Sequence, residues 1–168
     1  MRNANMKHYQ KEAFNYHGNL SEEWLNVKVD KLFKKECDGI KFYVSNDADL
    51  AGVAEMKFGA GKGEKGKVFV ITIGTGIGSG LFYKRKLIPN VELGHIYHTN
   101  GIIIEKFIAD SARKRDQISL KEWAKRFDVF LNHVKILHTP SMYILGGGIS
   151  KKFDQFKEHF TVDVPVEV

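Results

Sequence analysis

The sequence predicts an α/β fold, and three observations carry that prediction. Short apolar, β-branched runs end in glycine-rich turns at residues 67–80 and 142–148. Segments with apolar residues at helical spacing lie beside them, at residues 47–58 and 119–138. Strands that alternate with helices build a sheet flanked by helices rather than a bundle or a sandwich.

Residues 1–18 are polar and basic and read as an irregular opening. Residues 21–37 read as a turn and then a short helix that stops near Gly39. The run Ile-Lys-Phe-Tyr-Val at 40–44 reads as a buried strand, and Ser45, Asn46 and Asp47 are types that stop strands and cap helices. A helix is expected over 47–58, broken by Gly59, Gly61, Gly63 and Gly66. Strands are expected at 67–73 and 80–87, with Lys84-Arg85-Lys86 at the tip of a second turn. A loop with Pro89, Asn90, Glu92, Gly94 and His95 precedes a helical stretch at 102–113. Ser119 and Glu122 form a capping-box pattern at the head of a longer helix reaching His138. A strand at 142–145, a triglycine turn, a helix over 150–159 and a final strand over 162–168 complete the chain.

Composition narrows the function classes. The chain has 168 residues and is 43% hydrophobic, enough for one core. No apolar run approaches the roughly 20 residues of a membrane helix, and the first ten residues lack a signal-peptide stretch. Cys37 is the single cysteine, which excludes an internal disulfide and a cysteine zinc cluster. These features favour the cytoplasm. The net charge of +6 would attract polyanions, and it suits an ordinary soluble surface equally well. No nucleic-acid-reading motif accompanies it.

The segment Gly74-Thr75-Gly76-Ile77-Gly78-Ser79-Gly80 fits a dinucleotide fingerprint only loosely, because that fingerprint needs a helix straight after the loop. Leu81-Phe82-Tyr83 continues as strand, so a hairpin is expected. Glycines let backbone approach a phosphate, successive N–H groups can form an anion nest, and Thr75 and Ser79 add hydroxyl donors. Gly146-Gly147-Gly148 lies between a strand and a helix. It could present amides to an anion, or supply a positive φ for the turn.

Asp47 comes after the expected strand at 40–44, at the sheet edge where α/β proteins bind ligands. It could act as a general base, with Asn46 binding a hydroxyl, or serve as a helix N-cap. Glu92 and His95, separated by Leu93-Gly94, can grip vicinal sugar hydroxyls. His95 and His98 alone, without cysteines, make a poor zinc site. Glu105 reads as a favourable charge at a helix start.

Four stretches in this order resemble ROK-family sugar kinases: Ser45-Asn46-Asp47-Ala48-Asp49-Leu50-Ala51-Gly52, Thr72 through Gly80, Pro89-Asn90-Val91-Glu92-Leu93-Gly94-His95, and Leu145-Gly146-Gly147-Gly148-Ile149-Ser150-Lys151-Lys152. Residues 120–130 look specifically like the polyphosphate glucokinases of that family. The resemblance runs from about residue 19 to 166.

The resemblance implies an actin-like, ribonuclease-H-like sugar kinase fold, here mainly the C-terminal lobe over residues 19–168, with a mixed sheet flanked by helices. It implies that Asp47 takes the proton from the 6-hydroxyl of glucose or a related hexose. Asn46, Glu92, His95 and Glu105 would bind the other hydroxyls. Gly74, Thr75, Gly76 and Gly78 would contact phosphate of ATP or polyphosphate, and Gly146, Gly147 and Gly148 would border the donor. Mg²⁺ would bridge donor oxygens, with no zinc, no nucleic-acid or membrane partner, and a homodimer as the assembly.

The lysines of residues 57–67, Lys84, Lys86, Lys151 and Lys152 are expected beside the glycine loops, where they would attract a polyanionic donor. The family's opening Asp-x-Gly-Gly-Thr phosphate loop does not occur here, nor do its cysteine zinc motif or helix-turn-helix region. The chain alone is therefore expected to bind sugar and turn over poorly or not at all. The competing reading is a non-catalytic sugar-binding or dimerisation module derived from such a kinase.

Overall fold

The computed structural model describes residues 22–24 and 27–168. The chain divides into two compact units, residues 1–46 and 47–168. The expected irregular segment at 1–18 lies outside the described residues.

The first unit holds a 3-10 turn, Glu22–Trp24, and helix α1, Val29–Glu36. Asp38 and Gly39, both at positive φ, end the helix, and the Gly39 N–H donates to the Lys34 carbonyl. The strand expected at 40–44 does not form: the segment has no ladder partner among the described residues, and Ile40 and Tyr43 are 62% and 52% exposed. An apolar β-branched run specifies a strand only when a neighbour takes up its N–H and C=O groups.

In the second unit, helix α2 (Asp47–Phe58) leads into β1 (Lys67–Ile73), β2 (Ile77–Tyr83) and β3 (Lys86–Ile88). Short helices α3 (Glu105–Ile108) and α4 (Asp110–Arg115) come next, then α5 (Leu120–His138). Strand β4 (Met142–Gly146), 3-10 segments Gly148–Gln155 and Lys157–His159, and β5 (Val166–Glu167) close the unit.

The sheet order is β3-β2-β1-β4-β5. Strands β1, β2 and β3 form an antiparallel meander, and β4 and β5 add parallel to β1. The sheet is therefore mixed, as expected.

Side-chain alternation assigns each face a helix. Phe69, Ile71, Ile73, Tyr143 and Leu145 join the cluster with Trp123, Phe127, Leu131 and Val134 of α5. Val68, Val70, Phe82 and Ile144 meet Met56 of α2 on the opposite face. Tyr143 spans the α5 side and donates its hydroxyl to the Leu131 carbonyl at 2.8 Å, and its burial pushes the phenol pKa upward.

The capping box at Ser119 and Glu122 forms with both reciprocal bonds, and Thr139 ends α5 in the left-handed region.

Three expectations are corrected by local chemistry. The stretch at 102–113 is two helices, because the Ile108 carbonyl, instead of continuing the helix, accepts from the Trp123 indole N–H at 2.7 Å. The helix expected at 150–159 is 3-10, a geometry that stacks positions three apart. Phe153 and Phe156 meet edge-on there, with centroids 5.7 Å apart. The last strand is only Val166–Glu167, since Pro165 has no N–H to add to a ladder.

Replacing Trp123 with Phe leaves the Ile108 carbonyl without its donor inside the core and opens a small void where the larger indole stood. The expected loss is about 1–3 kcal/mol in denaturant-induced unfolding.

Candidate active site

Strands β1 and β4 run parallel and end together at Ile73 and Gly146. In open α/β sheets, ligands bind beyond that edge. Here β1 turns through Gly74-Thr75-Gly76 into β2, with Ile73 facing Ile77 and the Gly74 N–H donating to the Gly76 carbonyl at 3.0 Å. The glycine segment is thus a hairpin, and the dinucleotide reading falls. Gly147 sits against the same strand end: φ is +87°, and a Cβ would lie 2.3 Å from the Ile73 carbonyl oxygen. Gly147 thus supplies the positive φ the turn needs, and a Cβ built on Gly148 or on Gly74 would meet nothing within 4 Å.

The amino end of α2 packs onto β2. A Cβ at Gly78 would lie 2.8 Å from the Ala48 Cβ and 2.5 Å from the Thr72 hydroxyl, so only glycine admits the helix there. Asp47 then stands exposed at the first turn, with its carboxylate accepting the Ala48 N–H at 2.8 Å. Two residues on, Asp49 is buried, and its carboxylate accepts the Asn90 N–H at 3.2 Å.

Ser79, 2% exposed, fixes the next residues of the same loop. Its hydroxyl donates to the Val91 carbonyl at 2.5 Å and accepts the Leu93 N–H at 2.9 Å. The hydroxyl expected to meet phosphate is therefore committed to holding the loop that carries Glu92 and His95.

Within that loop the His95 Nδ1 lies 3.6 Å from a Glu92 carboxylate oxygen, with both side chains partly exposed. Gly94 lets the loop press on the hairpin: a Cβ there would be 2.3 Å from the Ile77 carbonyl oxygen. Glu105 arrives from α3, and its Oε2 accepts the Ile77 N–H at 3.3 Å, where a Cβ on Gly76 would collide with it. Asp47, Glu92, His95 and Glu105 are thus all anchored to the first residues of β2. Asn46 closes the first unit and is half-buried.

The helix bearing Glu105 is braced from behind. Arg115 and Arg126 both bind the Asp116 carboxylate, at 2.8 and 2.6 Å. Arg115 also donates to the Lys106 carbonyl at 2.9 Å, and Arg126 lies 4.5 Å over the Phe107 ring. His98 packs on that ring at 4.5 Å and pairs with Asn100 at 3.0 Å in its own turn. Among the described residues, no three His, Cys, Asp or Glu side chains group as a metal site, and no helix is long and apolar enough to cross a membrane.

The expected ring of lysines around the glycine loops is corrected. Lys67 pairs with Tyr83 at the opposite end of the β1–β2 ladder, and Lys84 and Arg85 form the turn at that end, with φ of +50° and +63°. A seven-residue strand puts that turn about 20 Å from Gly74–Gly76. Lys67 instead donates to the His138 carbonyl at 2.7 Å. Lys151 and Lys152 come directly after the triglycine.

Nothing in the sequence assigns a loop-holding role to Asp49 or Ser79. Parity along β2 points to Ser79, since Ile77, Ser79 and Leu81 share the buried face. A buried Asp in a helix first turn gives no comparable signal.

A mixed sheet flanked by helices, with β4 and β5 added parallel to an antiparallel meander, has the actin-like fold that ROK sugar kinases share. Residues 10–103, more than half the chain, match the ROK family, and the chain belongs to that family. Over 138 residues it is 36% identical to a polyphosphate glucokinase of Mycobacterium tuberculosis, covering 82% of this chain and 52% of that protein. A polyphosphate glucokinase of Mycobacterium leprae is also 36% identical, with 82% and 42% covered.

The crystal structure of an inorganic polyphosphate/ATP-glucomannokinase from Arthrobacter superposes with a TM-score of 0.85 at 40% identity, over 91% of this chain and 60% of that one. A ROK family glucokinase from Streptomyces griseus, at 20% identity and a TM-score of 0.76 over 94% and 72%, shares the fold. The chain spans about half the length of the curated relatives it matches.

Two measurements check this geometry. Ser79→Ala removes the hydroxyl that joins β2 to the loop. It should cost about 1–3 kcal/mol of stability and speed amide exchange at residues 90–95. Hydrogen bonding by Arg115 and then Arg126 holds the Asp116 carboxyl at about 2, below the ordinary 3.8. A depressed folded-state value means stability present above about pH 4 and lost as pH falls toward 2. Asp116→Asn should flatten that part of an acid titration followed by circular dichroism.

Proposed function

We propose that the chain is the sugar-binding lobe of a phosphotransferase that moves a phosphoryl group from polyphosphate or ATP to the 6-hydroxyl of glucose or a related hexose. One observation carries the reading: a lone carboxylate, a carboxylate-imidazole pair and a third carboxylate are all fixed to the first residues of β2, beside an open glycine turn. The likeness to polyphosphate glucokinases and to a polyphosphate/ATP-glucomannokinase supports the substrate class.

In this reading Asp47 is the general base. The sugar 6-oxygen attacks the terminal phosphorus, the bridging P–O bond to the donor breaks, and the hydroxyl proton passes to the Asp47 carboxylate. The exposure of Asp47 leaves it in water until a sugar displaces that water. Glu92, His95 and Glu105 take the remaining hydroxyls as acceptors and donors. Gly74, Thr75, Gly76 and Gly78 line the donor side, and Gly146, Gly147 and Gly148 border its chain. A divalent cation such as Mg²⁺ would supply charge neutralisation on the transferring group. An exposed carboxylate such as Asp47 suits a cation that takes only one or two protein ligands.

The test combines binding with turnover. Glucose should raise the melting temperature of the chain, and His95→Ala should weaken that binding by about tenfold. Asp47→Asn should keep the glucose response. Any glucose 6-phosphate formed from ATP or polyphosphate with Mg²⁺ should fall by about 100-fold or more in that variant. Stabilisation by glucose with no product in either protein favours the non-catalytic sugar-binding module. Absence of any glucose effect overturns the proposal.

A further inference from the structure

The hairpin turn is held from one side by a residue outside the substrate-binding set. Ser111 lies in the first turn of α4, where helix N–H groups have no partner within the helix. Its N–H donates to the Gly74 carbonyl at 3.3 Å, and its hydroxyl donates to the Thr75 carbonyl at 2.5 Å. Two successive carbonyls therefore point toward one serine.

Peptide planarity then sets the direction of two N–H groups. In a trans peptide the C=O and the next N–H point in opposite directions. The Gly74 carbonyl shares its plane with the Thr75 N–H, and the Thr75 carbonyl with the Gly76 N–H. Drawing both carbonyls to Ser111 turns both N–H groups to the far side of the turn. Among the described residues neither of these N–H groups meets a protein acceptor. Their neighbours are committed: the Gly74 N–H to the Gly76 carbonyl at 3.0 Å, and the Ile77 N–H to Glu105 at 3.3 Å. A Cβ built on Gly74 meets nothing within 4 Å, so the turn is open to a ligand. Adjacent N–H groups presented together form an anion nest.

We propose that Ser111 is a positioning residue that sets the Thr75 and Gly76 N–H groups as a two-donor cradle for a phosphate oxygen of the donor. This rests on the donor side assigned under Proposed function and goes beyond it by naming the two donors and the group that aims them. Ser111 does not touch the phosphate. It acts through two peptide planes, and loss of its hydroxyl frees the Thr75–Gly76 peptide to rotate.

Inorganic tripolyphosphate is the probe, titrated into the full chain and followed by amide NMR and calorimetry. The Thr75 and Gly76 amide signals should move on titration. Ser111→Ala should weaken tripolyphosphate binding by about tenfold, and Ser111→Thr, which keeps the hydroxyl, should restore it to within about twofold. Glucose-dependent thermal stabilisation should be the same in all three proteins, because Ser111 bonds none of the sugar-binding side chains. Tripolyphosphate binding by Ser111→Ala at the wild-type affinity overturns the inference and leaves the sugar-kinase reading standing. So does binding that leaves the Thr75 and Gly76 signals still. Loss of the glucose response together with tripolyphosphate binding in Ser111→Ala marks a merely structural role and also overturns it. A wild-type chain that binds glucose and ignores tripolyphosphate overturns the donor assignment itself.

Discussion

Close approach to the backbone at the start of β2 governs where Asp47, Glu92, His95 and Glu105 stand. Alternate residues there are glycine, and the missing side chains are occupied by other elements. The Thr72 hydroxyl and Ala48 methyl fill the place of a Cβ at Gly78, and the Glu105 carboxylate fills that of Gly76. From the loop side, Gly94 brings its own backbone onto Ile77. A single methyl at any of these points would displace a helix start, a carboxylate or a loop. The usual cost of glycine in a strand, roughly 0.5–1 kcal/mol relative to alanine, is small beside what a displaced catalytic group loses in rate.

Polar contacts then fix what the glycines admit. Asp49 and Ser79 are buried, and they hold Asn90, Val91 and Leu93 by bonds to the backbone, on either side of Glu92. Each bond takes up a loop N–H or C=O group that would otherwise need water. The loop is therefore ordered by the same groups that keep its buried backbone satisfied. This is why a short connection, regular only in the 3-10 turn Leu93–His95, can present a carboxylate and an imidazole at fixed spacing.

Much of this was legible in the sequence, and the failures share a cause. Helix α2, strand β1, the capped helix α5 and the hairpin all follow from local periodicity and punctuation, which are properties of contiguous residues. The run at 40–44 has the same local character as β4 and forms no strand. Strand identity depends on a partner that local sequence does not report. The lysines failed for a related reason. Proximity in sequence to a glycine loop means little once a seven-residue strand carries Lys84 to the far end of the sheet. Glu105, read alone as a helix-start charge, gained its hairpin contact only from tertiary packing. Asn46, Asp47, Glu92 and His95 stand in compact stretches whose order resembles the family's motifs, so the sequence singles them out without any tertiary information.

The hairpin turn also separates two electrostatic demands that would otherwise conflict. Glu105 brings negative charge to the Ile77 N–H, within a few ångströms of a turn suited to phosphate. A carboxylate beside a polyphosphate is repulsive, by about 1 kcal/mol at 4 Å even in water and by more where water is excluded. The two are compatible only if they approach the turn from different directions. The peptide planes supply that division: Ile77 turns its N–H toward α3, while Ser111 draws the Gly74 and Thr75 carbonyls toward α4. Helices α3 and α4 are two helices because Ala109 breaks the run with an extended ψ of 158°. A continuous helix would bring Glu105 and Ser111 to the turn at one fixed helical offset. The break lets each address its own peptide, so one three-residue turn can take the Glu105 carboxylate on one strand and leave its tip to the anion proposed there.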